Sequence, residues 1–207
     1  MKETPNFISI YDNALSKNEC ELIINEFESN KDIQVEGKSG NYEVQPKVKK
    51  SIDIGYRMND NSTTSSILSK SLNHHVELYK EKYPDLTNLI YPWECMNLYN
   101  IQKYLPKGGY FSRHCEVASI VTSNRVLVWM FYLNTVPNGG TLFPSYEIGT
   151  NAEQGRLVLW PAYWTHFHKG IVSKTYDKYI ATGWFCLHND ALHPSERSDR
   201  KLVDDRI

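Results

Sequence analysis

Arg125–Leu133 reads RVLVWMFYL, and this stretch decides the fold. After its first residue the run is continuously apolar and rich in branched and aromatic side chains, which describes a buried strand. Gly155–Pro161, GRLVLWP, is a shorter run of the same kind. Aromatics make up 13% of the 207 residues, with fourteen Tyr and five Trp. They concentrate after residue 90, in short apolar runs punctuated by Gly, Pro and Asn, so that half of the chain reads as β-sheet.

The first ninety residues follow a different pattern. Ser16-Lys17-Asn18-Glu19 has the form of a capping box and precedes Cys20, Ile23, Ile24 and Phe27 at helical spacing, which predicts a helix over 16–29. A second helix is predicted from Ile67, Leu68, Leu72, Val76, Tyr79 and Tyr83, started by Asn61-Ser62-Thr63 and stopped by Pro84. Helices followed by many short strands, without strand-helix alternation, favour an α+β, mainly β architecture: a jelly roll or helix-supported antiparallel sandwich. The chain is read as a single domain, 1–207. Within it, 1–90 supplies helical support and edge strands, 91–187 the β core, and 188–207 a charged, loosely packed tail. Glu36–Lys50 is expected to form a surface loop or edge hairpin. Lys47–Ile54, KVKKSIDI, either borders a substrate entrance or forms a solvated, charged edge strand.

Charged residues make up 23% and hydrophobic ones 41%, with a formal net charge of -1 and a pI near 6.7. No electrostatic footprint points to nucleic acid or an acidic membrane surface. The four cysteines, Cys20, Cys95, Cys115 and Cys186, are widely spaced and form no Cys-x-x-Cys pair, which suits a reducing compartment. No apolar run resembles a signal peptide or membrane span, so a cytoplasmic location is expected.

The chemistry is carried by Tyr110-Phe111-Ser112-Arg113-His114-Cys115-Glu116. An imidazole and a carboxylate two residues apart on a strand face the same side, with Cys115 directed away. A neutral nitrogen and an anionic oxygen suit a first-row divalent ion, and a second His completes a 2-His-1-carboxylate triad with three open positions. Both His166 and His168 follow a buried strand and share a face, so spacing does not choose between them. His74 and His75 are helix neighbours on different faces, and His188 and His193 lie in the tail, so none of the four is assigned a role.

Residues 95–186 resemble the 2-oxoglutarate/Fe(II) dioxygenase superfamily, and specifically its prolyl 4-hydroxylase-like branch. The resemblance rests on Lys107-Gly108-Gly109-Tyr110, His114-Cys115-Glu116, Phe131-Tyr132-Leu133-Asn134, Gly139-Gly140-Thr141-Leu142-Phe143-Pro144, Gly155-Arg156-Leu157, and His168 followed by Lys178. It implies iron(II) held by His114, Glu116 and His168, with His166 the fallback. The sequence departs from the family pattern in carrying Glu116 where Asp is usual and in a Gly139-Gly140 turn one residue shorter than the commonest form.

The resemblance also implies 2-oxoglutarate and O₂ as co-substrates, with ascorbate as a reductant. The distal carboxylate of 2-oxoglutarate needs a cation in an otherwise apolar pocket, and Lys178 suits the task. On the strand from Lys178 to Cys186, even-numbered residues share a face, so Lys178, Thr182 and Trp184 look inward together. Tyr132 and Tyr104 stand where relatives use a tyrosine hydroxyl to hold the co-substrate, and Trp184 is expected as pocket wall. The implied activity is hydroxylation of an unactivated C–H bond, with a prolyl residue of a peptide or protein the nearest family substrate. Two other classes fit some of the features: a non-catalytic jelly-roll binding module, and a zinc hydrolase, whose metal site also takes two His and a carboxylate.

Overall fold

The structure is a computed structural model that describes residues 6–40, 43–89 and 92–187. The charged tail read from 188 onward, with His188 and His193, lies outside the described residues. Helix α1, Lys17–Ser29, begins where its sequence signal places it. The Ser16 hydroxyl accepts from the Glu19 N–H at 3.3 Å, and Glu19 Oε2 accepts from the Ser16 N–H at 2.7 Å. Helix α2, Thr63–Lys82, is capped by Ser62 through the Ser65 N–H and closes at Tyr83, before Pro84. In each case a side-chain oxygen satisfies a backbone donor that the first helical turn leaves unpaired.

The strands are β1 (Ser9–Tyr11), β2 (Val35–Glu36), β3 (Lys49–Lys50), β4 (Ile52–Arg57), β5 (Trp93–Cys95), β6 (Leu98–Tyr104) and β7 (Gly109–Tyr110), then β8 (Arg125–Tyr132), β9 (Val136–Phe143), β10 (Ile148–Ala152), β11 (Leu157–Pro161), β12 (Lys169–Gly170) and β13 (Lys178–Leu187). The larger sheet runs β1-β11-β8-β13-β6-β4-β2, with β5 also paired to β13; a smaller one runs β10-β9-β12, and β3 pairs with β7. All of these pairings are antiparallel. The fold is the jelly roll expected, with helices on the outer face of the larger sheet.

The apolar run in β8 is explained by burial on both faces. Leu127, Trp129 and Phe131 join a core that includes Ile23 and Phe27 of α1 and Leu68 and Leu72 of α2. The alternate residues, Val128, Met130 and Tyr132, join a second core with Phe143 of β9 and Trp160 of β11. A strand that must satisfy a helical layer on one side and a facing sheet on the other has no place for polar residues. Each such side chain contributes about 1.5–3 kcal/mol by its removal from water.

Three local expectations are corrected. Gly139-Gly140 is not a turn; both residues lie within β9. A Cβ on Gly140 would stand 1.5 Å from the Thr150 carbonyl oxygen, so glycine is needed for the close approach of β9 to β10. Residues 47–54 do not form a solvated edge strand. Lys49 is 5% exposed and pairs with buried Asp53, whose other oxygen accepts from Ser51 Oγ at 2.7 Å, and β4 is flanked by β6 and β2. Finally, His114-Cys115-Glu116 lies outside any regular strand, and only His114 forms an isolated bridge, to His168.

Candidate metal centre and co-substrate pocket

His114 and His168 are joined through their own backbones. The His114 N–H donates to the His168 carbonyl at 2.9 Å, and the His168 N–H returns the bond at 2.8 Å. Glu116 is fixed next to them by its N–H, which donates to the Ala162 carbonyl at 3.0 Å just beyond β11. Each imidazole places Nδ1 3.0 Å from the carbonyl two residues before it, Ser112 for His114 and His166 for His168. That contact makes Nδ1 the donor and turns Nε2 toward Glu116, the atom that would serve a metal in place of a proton.

The two Nε2 atoms lie 3.4 Å and 3.5 Å from Glu116 Oε1. All three donor atoms fall within 4.8 Å of one another. Donors about 2.1 Å from one octahedral ion stand roughly 3 Å apart when adjacent, so small shifts close this set around a metal. Two neutral nitrogens and one carboxylate oxygen also match the donor chemistry of iron(II). Burial by itself pushes the Glu116 carboxyl up, but hydrogen bonds and charge from His114 and His168 hold it well below the usual carboxylate range. It is therefore ready to bind as an anion.

Aromatic rings fix the imidazoles. Tyr110 stacks on His114 at 3.7 Å between centroids and 15° between planes, while Trp160 stands edge-on to His168 at 5.0 Å. His166 is turned elsewhere, with Nε2 2.8 Å from the Asn6 carbonyl, so His168 is the member of the pair that joins the cluster. Cys115, expected to face away, also lines the cavity beside the cluster, and its thiol donates to the Val117 carbonyl at 3.3 Å. The departure has a plain cause: strict alternation of faces requires a strand, and this segment is not one.

The cluster opens into a cavity of about 850 Å³. The even-numbered face of β13 lines it as predicted, with Lys178, Ile180, Thr182 and Trp184. Lys178 is 5% exposed, its ammonium 2.8 Å from the Gly139 carbonyl and 3.1 Å from that of Ile171, and 5.2 Å from the centroid of the Tyr104 ring. Burial brings its pKa down from 10.5 to about 8. Two carbonyls leave the third N–H of a buried cation for an anionic partner, which is what the distal end of a dicarboxylate supplies.

The two tyrosines line the same cavity, and their hydroxyls have protein partners. Tyr132 Oη lies 2.7 Å from Thr141 Oγ1 and 2.8 Å from Thr150 Oγ1. Tyr104 donates to Gln102 Oε1 at 2.5 Å, and Thr182 donates to the Trp129 carbonyl at 2.9 Å. Trp184 does more than wall the pocket: its indole N–H donates to Glu116 Oε2 at 3.0 Å. Arg125 also reaches Oε2, at 3.4 Å, and lies over the Trp184 ring at 3.7 Å. Sequence reasoning missed Arg125, Tyr110 and Trp160. The position of Arg125, as the one charged residue in an otherwise apolar strand, was the available signal for it.

This fold and this site are similar to those of the iron(II) oxygenases that take a 2-oxo acid as co-substrate. Residues 99–186 match the model of the 2OG-Fe(II) oxygenase superfamily, and that segment holds the His-Glu-His cluster and Lys178. Solved structures share the fold. A viral collagen prolyl hydroxylase from Paramecium bursaria Chlorella virus 1, in complex with 2-oxoglutarate, is 17% identical with a TM-score of 0.67, over 88% of this chain and 97% of that one. A prolyl hydroxylase from Trichoplax adhaerens, in complex with a hypoxia inducible factor peptide, is 15% identical with a TM-score of 0.71, over 87% and 84%. A Pseudomonas putida prolyl-4-hydroxylase is 13% identical with a TM-score of 0.65, over 89% and 94%. No curated protein matches the sequence.

Proposed function

We propose that this protein is an Fe(II)- and 2-oxoglutarate-dependent dioxygenase that hydroxylates an unactivated C–H bond, with a prolyl residue of a peptide or protein as the substrate. The carrying observation is the convergence of His114 Nε2, His168 Nε2 and Glu116 Oε1 in one cavity with the buried ammonium of Lys178. Iron with 2-oxoglutarate and O₂ supplies the oxidising power, releasing succinate and CO₂ as the substrate gains a hydroxyl. His114 Nε2, His168 Nε2 and Glu116 Oε1 would hold the ion. Lys178 pairs with the distal carboxylate, and the Tyr104 ring beneath the ammonium favours its protonated form. Tyr132, Thr182 and Trp184 shape the pocket, while Met130, Trp160 and Ile180 supply apolar wall that limits water near the reacting carbon.

Lys178 argues against the zinc-hydrolase reading, which gives a buried cation no task, and the paired tautomers argue against a binding module with a relic site. The peptide assignment is supported by the cavity lining, which includes residues of two loops, Lys38, Ser39 and Gly40 and Ala118, Ser119, Val121 and Thr122, with Val121 74% exposed. A surface of that kind suits a chain laid across it better than an enclosed small molecule. A cytoplasmic setting is supported by the four cysteines being free thiols. The test is succinate release from purified protein given iron(II), ascorbate and 2-oxoglutarate, first without substrate and then with proline-containing peptides. Peptide-stimulated succinate is expected; absence of any 2-oxoglutarate turnover in the iron-loaded protein refutes the assignment.

A further inference from the structure

The residues around Glu116 solve a problem set by its length. A glutamate carries one more rotatable bond than an aspartate, and a longer carboxylate has more ways to meet an ion, including through both oxygens. Six-coordinate iron with three protein donors keeps three positions for a bidentate 2-oxo acid and O₂. Binding through both Glu116 oxygens would remove one of them.

The second oxygen is engaged elsewhere. Glu116 Oε2 accepts from the Trp184 indole N–H at 3.0 Å and faces Arg125 Nη1 at 3.4 Å. The same Arg125 nitrogen donates to the Glu116 backbone carbonyl at 3.1 Å, so one guanidinium ties both ends of the residue. That guanidinium lies over the indole at 3.7 Å, where a cation drawing on the ring's electron density makes its N–H a stronger donor. Trp184 and Arg125 come from β13 and β8, which are paired in the sheet, with Trp184 opposite Val128. The clamp is thus built on two paired strands.

We propose that Trp184 and Arg125 are positioning residues that hold Glu116 as a one-oxygen ligand, keeping Oε2 on the protein and Oε1 on the ion. This inference rests on the metal-site reading and names what lets a glutamate serve there.

The test is Mn(II) binding by the full-length protein, measured from the electron paramagnetic resonance signal of the free ion, for wild type, Trp184→Phe, Glu116→Asp and the double variant. Phenylalanine keeps a ring under Arg125 and removes the N–H. Loss of a hydrogen bond that orients a metal ligand typically weakens metal affinity by about 10–100-fold, so Trp184→Phe is expected to raise the Mn(II) dissociation constant at least about tenfold. In the Glu116→Asp background the shorter side chain draws the carboxylate back from the indole, and the same change is expected to cost less than about threefold. Arg125→Lys is a second probe: it keeps the charge, loses the planar stack, and is expected to weaken Mn(II) binding in the wild-type background. Equal losses in both backgrounds, or affinity within about twofold of wild type for Trp184→Phe, overturn the clamp. A wild-type protein that binds no Mn(II) overturns the metal-site reading as well, which separates the two failures.

Discussion

Replacing Lys178 by Met preserves the length of the side chain and deletes its charge. In the free protein this ammonium is 5% exposed between two carbonyl oxygens. The fall of its pKa from 10.5 to about 8 is a burden on the folded state of about 3 kcal/mol at neutral pH. Methionine removes that burden and gives up two ammonium–carbonyl hydrogen bonds that offset an amount on the same order. The melting temperature of the free protein is therefore expected to stay within a few degrees of wild type. Co-substrate binding behaves differently. A hydrogen bond to a charged group contributes about 1.5–3 kcal/mol, so anaerobic calorimetric titration should show 2-oxoglutarate bound about 10–150-fold more weakly. The pH dependence follows from the same group. Lys178 is protonated in the folded protein below about pH 8 and loses its proton as pH rises through that value, so wild-type affinity should fall above pH 8 while the Met variant shows no such fall. The unfolded chain keeps that proton up to about 10.5, so folded stability of the free protein should rise between about pH 8 and 10.5. Unchanged affinity together with a steep loss of melting temperature would show that Lys178 is a structural residue and refute the pocket assignment.

Two further outcomes are expected. Gly140→Ala should destabilise the protein by about 3 kcal/mol or prevent folding, because the new methyl meets the Thr150 carbonyl across β9 and β10; urea denaturation within about 0.5 kcal/mol of wild type would contradict the register described. His168→Ala should abolish stoichiometric metal binding, whereas His166→Ala should leave it within about threefold, as measured by metal analysis after gel filtration. Equal loss in both would mean that the ring at 166 moves to the ion.

Much of the fold is legible locally because its signals are local. Ser16, Glu19 and Ser62 mark helix starts through bonds spanning three residues, and the apolar run in β8 announces a strand covered on both faces. The inward face of β13 is read correctly because alternation is a property of any strand. Alternation fails at Cys115 for the converse reason, since the ligand segment is shaped by the bridge to His168 and by the Ala162 carbonyl, partners that lie far along the chain. The link between Trp184 and Glu116 crosses 68 residues, and that between Arg125 and Trp184 crosses two paired strands. No periodicity encodes such contacts. Gly139-Gly140 misleads in a similar way: paired glycines suggest a turn, but here they allow one strand to approach another while the Gly139 carbonyl receives Lys178.

The reciprocal backbone bonds between His114 and His168 carry a consequence for how the cation is acquired. Sites whose ligands are scattered until the ion arrives spend part of the binding energy on ordering the chain, and they fall apart under chelators. Here the peptide groups of the two ligands already clasp one another, so loading resembles filling a rigid socket. Chelation should strip this protein without unfolding it, and reloading should be fast, reversible and limited by diffusion through the mouth.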